Sequence, residues 1–154
     1  MRFILFTALI FFFTDFAIIS PVSNDIEAEI LIRNIKSPKG VFVISLYDDA
    51  KAFPKVGKEL LTEKIPVNDT LPHTVRIKVP KEGWYAIALF QDEDQSGKIK
   101  QDKVGIPHEP YAFSNNIHPR VEAPTFSACR FYVRKDDKGV MEIRLIQPAF
   151  HGKL

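Results

Sequence analysis

Asp92, Asp94 and Ser96 place three oxygen-bearing side chains at alternate positions of one short stretch, Asp92-Glu93-Asp94-Gln95-Ser96-Gly97-Lys98-Ile99-Lys100-Gln101-Asp102. Calcium takes six to eight hard oxygens, and short acidic side chains alternating around a tight turn supply several of them from one loop. Gly97 stands sixth in this run, where such a loop turns sharply and needs a positive φ. Lys98 offers its backbone carbonyl at the seventh position, and Ile99 at the eighth is an apolar residue able to pin the loop to a core. The twelfth position, usually a bidentate glutamate, is Lys103, and the nearest carboxylate is Asp102, one residue earlier. The candidate metal ligands are therefore Asp92, Asp94, Ser96, the Lys98 carbonyl and Asp102, with calcium as the expected cofactor. Repulsion among three neighbouring carboxylates favours a cation. The same residues also suit a solvated acidic turn at the end of a strand, where Asp and Gly serve turn geometry alone.

A second stretch, residues 105–116 (GIPHEPYAFSNN), is expected to fold back over the acidic loop as a cover. Pro107 and Pro110 restrict its backbone and lower the entropy lost on ordering. Ile106, Tyr111 and Phe113 supply an apolar face, and Ser114, Asn115 and Asn116 carry short polar groups able to satisfy loop backbone. Tyr111, Phe113, Asn115 and Asn116 are accordingly the candidate ligand or cover residues, the alternative being a linker resting loosely on the surface. Trp84 alternates with Ala86, Ala88 and Phe90 and is expected in the core. Cys129 alternates with Phe131 and Val133 and is expected to be a buried, unpaired thiol.

Catalytic chemistry finds little support in the residue pattern. His73, His108, His118 and His151 have no helix-face spacing, and there is no Gly-x-Ser-x-Gly elbow or Cys–His metal pattern. The expectation is a protein that is not an enzyme.

The elements that must hold these residues have a period of two almost throughout. Ile26, Ala28, Ile30 and Ile32 alternate with polar neighbours, as do Val75, Ile77 and Val79. Residues 41–47 and 83–91 are apolar on both faces, which marks central strands. Residues 60–65 are a weaker strand candidate, and residues 129–134 and 140–146 are expected to pair as a hairpin across Asp136-Asp137-Lys138-Gly139. The fold class is all-β, an antiparallel two-sheet sandwich of about seven strands of the immunoglobulin or transthyretin type.

The 154 residues are 45% hydrophobic and 26% charged, with 21 basic and 19 acidic side chains and a net charge of +2. Because the two signs are interspersed, no basic stripe tracks phosphates and nucleic acid is not the expected partner. Arg2 followed by the apolar run 3–13 reads as a signal peptide, too short to span a bilayer. Residues 1–22 are assigned to that leader and residues 23–154 to one domain with no transmembrane span, periplasmic or secreted.

Taken in order, Gly40 to Phe53, Trp84 through the 92–98 loop, Gly105-Ile106-Pro107, Tyr111-Ala112-Phe113-Ser114-Asn115-Asn116 and Pro124-Thr125-Phe126 resemble a family of small exported bacterial proteins, domain of unknown function 2141. The resemblance implies export and a β-sandwich, and implies no activity. The family's loop reads D-x-N-x-N-G-K-x-D, and Lys100 stands here where its later Asp falls. The function expected is a non-catalytic binding or structural module of the cell envelope, calcium-stabilised through the 92–102 loop. The alternative is a carbohydrate- or small-ligand-binding module using loop aromatics, with a hydrolase as a third reading; the partner is an envelope protein or a glycan. Exported protein should begin between Ser20 and Asn24, as N-terminal sequencing would show; material still beginning at Met1 would refute the leader.

Overall fold

The computed structural model describes residues 26–120, 122–135 and 140–148, so the leader assigned to residues 1–22 lies outside the described residues. Within them the chain forms β1 (Ile26–Arg33), β2 (Val41–Tyr47), β3 (Leu61–Pro66), β4 (His73–Val79), β5 (Gly83–Asp92), β6 (Tyr111–Phe113), β7 (Phe131–Val133) and β8 (Val140–Arg144). One sheet has the order β4-β1-β8, and the other runs β3-β2-β5-β6 with β7 also on β5. The fold is all-β with two open sheets, and it has one strand more than the sequence suggested. All pairs are antiparallel except β1–β8, which is parallel.

Alternation decides which residues enter the space between the sheets. Ala28, Ile30 and Ile32 of β1, Val75, Ile77 and Val79 of β4, and Ile143 of β8 face Phe42, Ile44 and Leu46 of β2 and Tyr85, Ile87 and Leu89 of β5. Glu29 and Arg76 point the other way on the first sheet and pair across β1 and β4 at 2.9 Å. β2 and β5 are central and adjacent, as their two apolar faces require.

Two expectations are corrected. The segments expected to form a final hairpin lie in different sheets: β7 pairs with β5, and β8 runs parallel to β1. Each half carries its own alternation, which suits any partner with a complementary face, and the turn signal between them did not set the pairing. Cys129 is buried and unpaired, but it ends the short helix α1 (Phe126–Cys129) instead of sitting in a strand. Thr125 caps that helix, its side-chain oxygen accepting the Ala128 N–H. Burial pushes the Cys129 thiol up to about 11.

The free edge of β5 is shared. β7 covers Gly83, Trp84 and Tyr85, β6 covers Ala88, Leu89 and Phe90, and Ala86 and Ile87 fall between them. Residues 131–133 therefore resume the line that residues 111–113 begin, and residues 114–130 are an excursion from one interrupted strand. At the interruption the buried Ser114 hydroxyl accepts the Ile87 N–H at 2.9 Å and donates to the Cys129 carbonyl at 2.6 Å. The excursion folds over the outer face of β5, where Phe126, Cys129, Ile117 and Phe113 pack with Tyr47, Phe53, Ala86 and Ala88 as a second apolar cluster. Ser114→Ala should cost about 2 kcal/mol, because it strands a buried donor and a buried acceptor. Urea denaturation measures this, and a loss below about 0.5 kcal/mol would show that the hydroxyl does not hold the interruption.

Candidate functional site

The acidic loop leaves the end of β5, where Asp92 pairs in register with Val41. Gly40 makes that position tight. It has a φ of +71°, and a Cβ there would stand 1.9 Å from the Asp92 carbonyl oxygen. Asp92 itself is buried, and its carboxylate closes the loop from inside. Oδ1 accepts the Ser96 N–H at 3.0 Å and Oδ2 the Gly97 N–H at 2.7 Å. Gln95 and Gly97 take positive φ, of 56° and 79°, to aim those amides inward. Asp94 accepts the Ser96 N–H on one oxygen at 3.2 Å and the Lys100 ammonium on the other. The Ser96 hydroxyl donates to the Lys98 carbonyl at 3.0 Å.

The structure brings Glu109 into this group. It is buried, and its two oxygens accept the N–H groups of Glu93 at 2.9 Å and Lys100 at 2.8 Å. Asp92, Asp94 and Glu109 each offer an oxygen within 4.8 Å of the others. Asp102 is not one of that trio; its Oδ1 accepts the N–H groups of Val104 and Ile106, both at 2.9 Å, and caps a separate turn. Those backbone donors, Ile106 first, hold its carboxyl below the usual range. The side chain of Lys100, hydrogen-bonded to Asp94, lowers the Asp94 carboxyl to about 2, with Ser96 adding to the effect. The same pair raises the Lys100 ammonium. Chemically the arrangement is an acidic corner in which the Lys100 ammonium supplies positive charge against Asp94.

Residues 106–110 lie against this loop. Gln101 bridges Pro107, the His108 N–H donates to the Lys100 carbonyl at 2.8 Å, and the Gln91 N–H donates to the Pro110 carbonyl at 2.8 Å. Beyond Pro110 the segment serves other partners. Tyr111 sits in β6 and bonds Ile146 in both directions, while Phe113 enters the second apolar cluster. Asn115 donates to the carbonyls of Ala128 and Arg130 at 3.1 and 3.0 Å. Asn116 donates to the Glu142 carbonyl at 2.9 Å and accepts the Arg144 N–H at 2.7 Å, so its amide stands in for a neighbouring strand along β8. Both asparagines have positive φ, 60° and 53°, a conformation this side chain tolerates.

Trp84 is not in the core; it is 48% exposed. Its alternation with Ala86 and Ala88 is as read, but the shared face is the outer one, and the second cluster stops short of it. Across the β5–β7 ladder Tyr132, 40% exposed, meets Trp84 edge to face at 5.2 Å between centroids. Arg130 lies over the Trp84 ring at 4.5 Å and Arg134 over the Tyr132 ring at 5.5 Å. Sequence reasoning passed over Arg130, Tyr132 and Arg134, although their two-residue spacing, opposite in phase to Phe131 and Val133, put them on one outward face.

Fold and site together define a small all-β module of two open sheets, with an acidic, self-closed loop at one end of its longest strand and an exposed aromatic–arginine ladder at the other. The chain belongs to the family described as uncharacterized protein conserved in bacteria, domain of unknown function 2141, whose family model matches residues 30–141. No curated protein and no solved structure matches it.

The Lys100–Asp94 pair makes a pH prediction. A carboxyl held below its unfolded value contributes stability above the ordinary carboxylate range, and the contribution is lost as pH falls through the folded value. Carboxyl carbon NMR should find Asp94 titrating near 2 in the wild type and moving back toward 3.8 in Lys100→Met. An unchanged Asp94 midpoint in Lys100→Met would show that the lysine is not its partner.

Proposed function

We propose that the protein is an exported, non-catalytic binding module of the cell envelope, periplasmic or secreted, that recognises a glycan through the Trp84–Tyr132 pair. The observation that carries this reading is the pair itself. Two large aromatic side chains, each with 40% or more of its surface exposed, meet edge to face across the β5–β7 ladder. Rings of this kind combine an apolar body with a polar handle and suit recognition at a wet surface. The export part of the reading is supported by the Arg-led apolar run within residues 1–22.

The non-catalytic part is supported by where the reactive groups are engaged. Ser114 is buried between Ile87 and Cys129, the Cys129 thiol is buried with its pKa raised, and Asp92 and Glu109 accept backbone N–H groups. Among the described residues no helix is long and apolar enough to cross a membrane. Calcium belongs to this reading as a stabiliser of the loop, held by Asp92, Asp94 and Glu109 in competition with the Lys100 ammonium.

Two measurements test these readings. On an array of neutral and acidic glycans the wild type should bind, and Trp84→Ala and Tyr132→Ala should each lose the signal while keeping the wild-type melting temperature within a few degrees. Absence of binding, or binding that survives both substitutions, would overturn the glycan reading. For calcium, an incomplete ligand set should give a Kd of roughly 10⁻⁴–10⁻³ M. At 100 times that value the ion adds about 2.7 kcal/mol of stability. Lys100→Gln should enlarge the calcium-dependent rise in melting temperature; identical melts in calcium and in chelator, for both proteins, would leave the loop closed by lysine alone.

A further inference from the structure

Arg130, Tyr132 and Arg134 follow one another at two-residue spacing, with Trp84 opposite the middle one. Arg130 has extended φ and ψ of −66° and 142°, and β7 follows it directly. At roughly 3.3 Å per residue the two arginine Cα atoms stand about 13 Å apart, with the aromatic pair between them. Each guanidinium lies over a ring, at 4.5 and 5.5 Å. Stacking uses the flat face of a guanidinium and leaves the N–H groups around its rim directed outward, where they can grip a carboxylate through two parallel bonds. It also fixes a side chain that is otherwise mobile, which lowers the ordering cost of binding. Among the described residues neither guanidinium takes part in an ion pair, whereas Arg33, Arg76 and Arg144 all do. Glu82, close in sequence to Trp84, has its carboxylate on the Lys135 N–H at 2.7 Å.

We propose that the ligand of this ladder is a linear acidic polysaccharide, its sugar rings against the surface that Trp84 and Tyr132 leave exposed beside the guanidinia and its carboxylates on Arg130 and Arg134. The inference rests on the glycan reading of the Trp84–Tyr132 pair and adds the charge and the polymeric form of the ligand. Two arginines on one face, each with N–H groups left free by stacking, offer two carboxylate sites, and a small monoacid fills only one of them. A chain carrying a carboxylate on every sugar reaches both in several registers, and its sugar rings meet the exposed surface of the two aromatics between.

Calorimetry with the purified protein tests this with three probes: oligogalacturonate, the same oligosaccharide fully methyl-esterified, and polyglutamate of similar length. Oligogalacturonate should bind at least roughly tenfold more tightly than its ester in low salt, as expected for charge-assisted bonds of this kind. That advantage should shrink as salt screens the exposed charges. Arg130→Gln and Arg134→Gln should each remove most of it while keeping the wild-type melting temperature within a few degrees. Equal binding of acid and ester would overturn the acidic ligand and leave the glycan reading standing. Binding of neither sugar would overturn both. Polyglutamate binding as tightly as oligogalacturonate would assign the ladder to an acidic peptide and overturn the proposal.

Discussion

One hydroxyl group sits where the second sheet would otherwise come apart. β5 needs a partner along its whole outer edge, since an unpaired N–H or carbonyl in a dry sheet costs as much as a lost hydrogen bond. The chain supplies that partner in two pieces, β6 and β7, and leaves Ile87 between them. Ser114 meets the Ile87 N–H and ties it to Cys129, the last residue of α1, near the end of the returning excursion. A side chain thus completes a backbone ladder, and the chain is free to leave the sheet for residues 114–130 without opening its edge.

That departure makes a second core possible. Ala86 and Ala88 are small, so the outer face of β5 has room for the rings of Phe53, Phe113 and Phe126, which meet at centroid distances of 6.0 and 6.1 Å. Asn115 and Asn116 extend the same device. Their amides satisfy backbone groups of the returning segment and of β8, and Asn116 thereby links the two sheets at one corner. Three adjacent polar side chains hold three separate pieces of the chain, and each bonds chiefly to main chain.

Alternation made the sheets legible because burial acts locally: every strand with one wet face declares its period. β1 and β4 were readable for that reason, and β2 and β5 by runs that are apolar on both faces. Pairing is a long-range property, and the expected 129–146 hairpin failed on it. Local turn chemistry cannot report that β8 will lie parallel to β1, more than a hundred residues away. Trp84 failed differently. Its period was plain, yet period alone does not say which face of a twice-covered strand is covered along its full length. In the acidic loop Asp92 and Asp94 were readable as oxygens at alternate positions. Glu109 was not, because it arrives from another segment and joins through backbone N–H groups that leave no trace in spacing.

The outer face of β5 carries both candidate sites and keeps them apart. Trp84, Ala86, Ala88, Phe90 and Asp92 share that face, and eight residue steps at about 3.3 Å separate the aromatic end from the acidic end by roughly 26 Å. The apolar cluster on Ala86 and Ala88 fills part of the interval. A cation held by Asp92 therefore cannot ligate anything seated on Trp84, and the two ends cannot form one active centre. Between the two ends the backbone of β5 is paired by β2 from Ala86 to Asp92 on one edge, and on the other by β6 and β7, with Ser114 at the gap. Closing the acidic loop fixes one end of that strand, and the arginines stacked on Trp84 and Tyr132 fix the surface at the other.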